Sequence, residues 1–304
     1  MIARASILVL ALALAGCSTA SYTEPITQLN QGLTVAQAGF DGLKQRVERV
    51  DLVRSVDDQV EHGVPLTLSS CENTKDTKKD PNNCMLLLNG QPVQSSDLAP
   101  KGSKLLAAFV DYGKGLQKLA DAKDISDLNS SADNLNSALE SIAKTSGATA
   151  AQASVVSSSL DLIHWFLGQY LEYKRVEALR SGIIAGNQAV QQGVPLLEAE
   201  AGTLQKIAAT YEPGQLQSMV LAVSLSRGEP LGQRTELERD TVSYQQSVKR
   251  LLETDPVAPF EELKSAHAKL LAAAEASDFS ASDLKTALTD FYKKAKALYD
   301  AVNN

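Results

Sequence analysis

Three cysteines and three histidines are the side chains of this 304-residue chain best suited to chemistry, and their spacing decides what kind. Cys17 closes the apolar run Ile7–Leu14, after the small residues Ala15 and Gly16. Cys71 and Cys84 bound the polar stretch CENTKDTKKDPNNC, in which Lys75, Lys78 and Lys79 stand as candidate contact residues. In an oxidising compartment this pair is expected to form a disulfide, whose loop contributes about 3 kcal/mol if unstrained. Two free thiols or a metal pair are the alternatives, and no third or fourth ligand stands nearby for a metal. His62, His164 and His267 are far apart in the chain. His62 falls at a helix end, where an imidazolium complements the dipole. His267 lies in the apolar phase between Leu263 and Leu270, and a partly exposed flank suits it better than burial. His164 opens HWFLGQYLEY, whose His164, Trp165, Phe166 and Tyr170 could line an apolar ligand pocket, although helix packing explains them as well.

Catalytic arrangements are missing from the sequence. It has no His-Glu-x-x-His, no phosphate-cradling glycine loop, no Gly-x-Ser-x-Gly elbow and no cysteine placed as a nucleophile. The acids Glu236 and Glu238, Glu261 and Glu262, and Asp57 and Asp58 fan around a helix rather than converge, so they read as solvated surface. Glycosidase chemistry needs two carboxyls facing each other across a cleft, and no such pair is nominated. The expectation is a protein that is not an enzyme and takes no cofactor or metal. A net charge of −7 without a basic block argues against a nucleic-acid partner.

The elements that must position these residues are helices. Ile26, Leu29, Leu33, Ala36, Phe40, Leu43, Val47 and Val50 recur at steps of three and four, predicting one long helix over Thr23–His62. Val53, Val56 and Val60 continue it on a shifted phase. The same spacing returns at Leu105–Leu119, Ile125–Ile142, Val156–Tyr170, Leu237–Leu251 and Leu284–Val302. Stop chemistry separates the runs at Gly63-Val64-Pro65, Thr145-Ser146-Gly147, Gly193-Val194-Pro195, Glu212-Pro213-Gly214, Arg227-Gly228-Glu229-Pro230 and Asp255-Pro256. Strict heptads would also fit a parallel coiled-coil stalk. Frequent breaks, with Phe, Tyr and Ala in the seams, favour an all-α, elongated antiparallel bundle of long amphipathic helices over residues 23–304. One insertion, 66–91, departs from helical spacing. Its Leu66-Thr67-Leu68 and Met85-Leu86-Leu87-Leu88 predict a small β-hairpin or disulfide-closed loop, with Asn89-Gly90 as the next turn. Val60-Glu61-His62-Gly63-Val64-Pro65-Leu66 is echoed by Val190-Gln191-Gln192-Gly193-Val194-Pro195-Leu196, which is compatible with a duplication of 23–147 and 148–304 or with shared stop chemistry alone.

The first residues carry an address. Arg4, the apolar run and the small pair Ala15-Gly16 have the three parts of an export signal over 1–16, too short to span a bilayer. Leu14-Ala15-Gly16-Cys17 resembles the lipobox of bacterial lipoproteins, which implies a mature chain beginning at a Cys17 that carries acyl chains such as palmitate. Two or three such chains hold a protein stably on a membrane. Within that resemblance, Ser18 rather than Asp favours the periplasmic face of the outer membrane over the inner membrane. Residues 17–22 would then form the lipidated tether. The expected role is a scaffold or protein-interaction component of the cell envelope, with an envelope protein as partner and the oligomeric state open. Alternatives are a lipid- or small-molecule-binding bundle, or an immunity or exclusion lipoprotein.

Overall fold

The computed structural model of the protein describes residues 19–69, 72–73, 76–79, 85–94, 96–147, 167–276 and 281–303. They fold as seven α-helices: α1 (Ala20–Glu61), α2 (Pro100–Asp121), α3 (Ile125–Ser146), α4 (Leu167–Leu225), α5 (Leu231–Glu253), α6 (Ala258–Glu275) and α7 (Ala281–Asn303). Five short strands interrupt them: β1 (Leu66–Leu68), β2 (Glu72–Asn73), β3 (Asp76–Lys79), β4 (Leu86–Leu88) and β5 (Gln91–Pro92). The all-α class and the placement of the insertion agree with the apolar spacing. The chain divides into two compact units. One comprises the described residues to Asp41 with Pro100–Gly202 and Thr254–Asn304, and the other Gly42–Ala99 with Thr203–Glu253.

The first unit is a six-helix bundle built from the first half of α1 and of α4 with α2, α3, α6 and α7. Asp41 meets Ser103 and Asn30 meets Gln117, so α2 runs antiparallel to α1. The Tyr22 hydroxyl donates to the Ala273 carbonyl, and Phe40 stacks edge-on to Phe260, so α6 is antiparallel to α1 as well. By contrast Glu24 pairs with Lys285 while Gly39 abuts Tyr299, which makes α7 parallel to α1. The seam Ile26, Leu29, Leu33, Ala36 and Phe40 is fully buried, as are Leu288, Phe291, Ala295 and Leu298 of α7. Each large side chain of this kind contributes about 1.5–3 kcal/mol by leaving water. Local chemistry sets the ends. Pro100 occupies the first position of α2, where its missing N–H costs nothing. Asp124 caps α3 by accepting from the Asp127 N–H at 2.8 Å.

The second unit joins the later parts of α1 and α4 to α5 and the strands. Gly63 ends α1 with φ +79°: its N–H donates to Val60 and that of Val64 to Gln59, the paired bonds of a left-handed helix terminus. The insertion is a three-stranded sheet of order β1-β4-β5, with Leu66 opposite Leu88 and Leu68 opposite Leu86. Asn89 and Gly90, both with positive φ (50° and 77°), form the two-residue turn into β5. β2 and β3 pair antiparallel at the tip.

Two expected stops are overturned. Gly193-Val194-Pro195 and Glu212-Pro213-Gly214 both lie inside α4, an unbroken helix of 59 residues. An interior proline costs a helix about 3 kcal/mol, but Val190, Val194, Leu197, Ala201, Leu204 and Ala208 keep one face buried through the first break, and Glu212 is buried at the second. The two Gly-Val-Pro copies therefore have different conformations, one ending a helix and one inside it. Helical structure begins at Ala20, inside the stretch 17–22 read as tether, and Thr19 and Tyr22 are buried.

Candidate functional site

Several residues singled out from the sequence, Cys17, Cys71, Cys84, Lys75, His164, Trp165 and Phe166, lie outside the described residues. Lys78 and Lys79 fall on β3. Tyr170 is half-buried in the first turn of α4, with the Lys174 ammonium 5.8 Å from its ring centroid. His62 is exposed at the end of α1, and its Nδ1 lies 2.6 Å from the Asp58 carbonyl. That contact, with the Asp58 carboxylate nearby, raises its pKa above the ordinary histidine value. Asp57, Asp58, Glu236 and Glu261 are exposed, as solvated acids should be.

The insertion supplies an apolar surface whose geometry is set by register. Leu66 and Leu88 are directly opposed, as are Leu68 and Leu86, so all four side chains leave the same face of the sheet. Leu66 is 41 % exposed, Leu86 47 % and Leu68 63 %. Met85, one residue before β4, is also exposed. Water-facing leucines are common singly, whereas several on one face of a sheet make it a candidate contact surface.

At the start of the first unit, α1 is tied to α4. The Thr19 N–H and hydroxyl both donate to Glu172 Oε1, at 2.5 and 2.7 Å. Burial pushes the Glu172 carboxyl up, but these two bonds and Arg175 outweigh it and hold the group below its usual range. Tyr173, the next residue along α4, is 63 % exposed.

Sequence reading missed two buried polar groups. His267, expected on a flank, is fully buried in the first unit, its Nε2 2.8 Å from the Tyr112 hydroxyl. Burial lowers its pKa to about 4 and raises that of Tyr112, so both stay neutral. In the second unit, Glu212 has no exposed surface. Arg46 grips it with Nε at 2.6 Å and Nη2 at 3.1 Å, while the Tyr244 hydroxyl donates to Oε2 at 2.5 Å. Arg46 Nη1 reaches Ser247 Oγ at 2.6 Å, so one guanidinium joins α1, α4 and α5. Both carboxylate oxygens are engaged, an arrangement that ties helices together rather than holds a base ready for a substrate. The only sequence cue for Glu212 was its place before Pro213-Gly214, which pointed to a turn.

An open cleft of about 530 Å³ in the first unit is lined by Lys114, Lys118, Lys123, Asp121, Asp127 and Asn134, among others. The residues lining it are almost all of polar type and of both charge signs, without the aromatic and aliphatic side chains that usually line a ligand pocket. Among the described residues no cluster of His, Cys, Asp and Glu could hold a metal ion. No described helix is long and apolar enough to cross a membrane. No family model matches the chain, and neither a curated protein nor a solved structure does.

Proposed function

We propose that the protein is a lipid-anchored component of the bacterial cell envelope, held by Cys17 on the periplasmic face of the outer membrane, which binds another envelope protein without catalysing a reaction. The lipobox-like Leu14-Ala15-Gly16-Cys17 supports the anchor. The observation that carries the binding role is the leucine face of the β1-β4-β5 sheet, three of whose four residues are more than 40 % exposed. β1 is also an edge strand, so its outer backbone groups are available to pair with an extended segment of a partner. The rigid helices carry the sheet, and the sheet supplies apolar area.

A disulfide is part of this reading because the two cysteines bound the polar tip of the insertion in an exported chain. Met85 N–H donates to the Ser69 hydroxyl, and Ser69 N–H to the Met85 carbonyl, each at 2.9 Å. Cys84 and Cys71 are therefore one and two residues from a paired rung, and a bridge between them would brace the leucine face.

The test places a photo-crosslinking residue at Gln91, which is paired with Leu88 and on the leucine face, or at Lys78, in living cells and identifies the adducts. A discrete envelope protein, lost from the adducts when Leu66 and Leu68 are changed to Ser, is the expected result. Adducts only with other copies of the chain, or capture unaffected by those changes, would overturn the sheet as the contact. Cys17→Ala tests the anchor separately, since the altered chain should neither mature nor float with membranes.

A further inference from the structure

We infer that the Tyr170–Tyr173 turn of α4 rests in the interfacial layer of a phospholipid bilayer, fixing how the first unit stands on the membrane. The inference rests on the reading of Cys17 as lipid-bearing. Only Ser18 separates that cysteine from Thr19, and two residues of chain span at most about 7 Å. Thr19 is no part of a loose linker. It is buried, and its N–H and hydroxyl hold the Glu172 carboxylate. The acyl chains must therefore enter the bilayer close to the start of α4. The headgroup layer of one leaflet is itself about 5–7 Å deep, comparable with the reach of the tether.

The side chains at that end suit such a layer. Tyr173 is 63 % exposed and Tyr170 half-buried. The Lys174 ammonium lies 5.8 Å from both ring centroids, while also bonding Glu177 at 2.8 Å. Tyrosine has an apolar ring and a polar hydroxyl, so it is favoured where hydrocarbon meets headgroups. An exposed tyrosine beside a cation, one residue from the contact that holds the anchor end, has a lipid surface as its nearest occupant. The anchor supplies attachment, and the tyrosines supply orientation.

The experiment uses the acylated full-length protein with Trp165→Phe and Tyr173→Trp, reconstituted in phosphatidylethanolamine–phosphatidylglycerol vesicles with or without brominated acyl chains. Fluorescence from position 173 should be blue-shifted and quenched roughly twofold by the brominated lipid, as for a ring at interfacial depth. A tryptophan placed instead at Tyr299, near the far end of α7, should be unaffected. Fluorotyrosine at 173 in an otherwise unaltered chain, broadened by a headgroup spin label, gives the same depth without the Trp165 change. Protein that floats with the vesicles while position 173 stays unquenched and open to iodide would overturn the docking and leave the anchor standing. Protein that does not float removes the anchor, and the docking with it.

Discussion

The Tyr112 hydroxyl and Nε2 of His267 lie 2.8 Å apart on α2 and α6, both side chains fully buried, and His267 Nδ1 has no hydrogen-bond partner among the described residues. Such a pair is stable only with the imidazole neutral, because a buried cation without a counter-charge is costly. The native imidazole resists protonation down to about pH 4, whereas in the unfolded chain it takes a proton near pH 6.5. The unfolded state therefore binds more protons between these values. This contribution to stability is complete above pH 6.5 and is lost as pH falls towards 4, by up to about 3 kcal/mol. Urea unfolding at pH 7.5 and pH 4.5 should show the loss in the wild type and a smaller one in His267→Leu. Equal losses in both proteins would contradict the buried neutral imidazole.

Gly186 on α4 is where Tyr112 fits. A Cβ built there would stand 2.1 Å from the Tyr112 hydroxyl and 2.3 Å from the ring, so Gly186→Ala must move the ring or part the helices. Overpacking of this kind costs about 1–3 kcal/mol. Gly214, in the same helix, has nothing within 4 Å of the equivalent position. Gly214→Ala should stabilise by about 0.5–1 kcal/mol through helix propensity alone. Opposite shifts in melting temperature are the expected outcome. Two shifts of the same sign would remove the close approach as the explanation.

Periodicity made the helices legible because burial follows the 3.6-residue repeat directly. The seam read from Ile26 to Val50 is buried throughout, and the bounds expected for α1 agree with Ala20–Glu61 to within a few residues. The turn at Asn89-Gly90 was legible for a similar reason, since two successive positive φ values restrict residue type. What could not be read depends on partners distant in the chain. His267 was in seam phase, but the Tyr112 hydroxyl that makes its burial tolerable is 155 residues away. Glu212 stood before Pro213-Gly214, a local stop signal, and only Arg46, 166 residues earlier, turns that carboxylate into an internal tie. The leucine face was visible as two apolar runs, yet its exposure depends on what the rest of the chain leaves uncovered.

The Arg46–Glu212 pair joins two helices at a point with no exposed carboxylate surface, so its members should not be separable. Arg46→Ala would leave the Glu212 carboxylate buried, with Tyr244 still donating to it among the described residues. Removing one partner of such a pair costs about 3–5 kcal/mol, whereas replacing both with apolar residues of similar volume is often neutral. The double change Arg46→Met with Glu212→Leu should thus recover most of the stability lost in Arg46→Ala, read from urea midpoints. Tyr244→Phe, which removes one hydrogen bond to Oε2, should cost only about 1–2 kcal/mol. A double variant as unstable as Arg46→Ala would mean that charge, rather than shape, holds α1 to α4 at this point.

The pair Cys71 and Cys84, in a chain read as exported, predicts the oxidation state of the insertion. Cys71 follows Ser69 by two residues and Cys84 precedes Met85 by one. The Ser69 N–H donates to the Met85 carbonyl at 2.9 Å, so the two cysteines bound the tip of strands that already pair. Protein isolated from the envelope without reductant should weigh about 2 Da less than the same protein after reduction, the two hydrogens of one disulfide. Because the bridge closes a short loop, reduction should destabilise the sheet by at most about 3 kcal/mol and leave the helices folded. Hydrogen exchange separates the two effects: the amides of Ser69, Met85 and Asn89 should exchange faster on reduction, while those of α2 and α7 remain protected. Native protein with two thiols open to alkylation would rule out the bridge and leave the leucine face supported by the strand pairing alone.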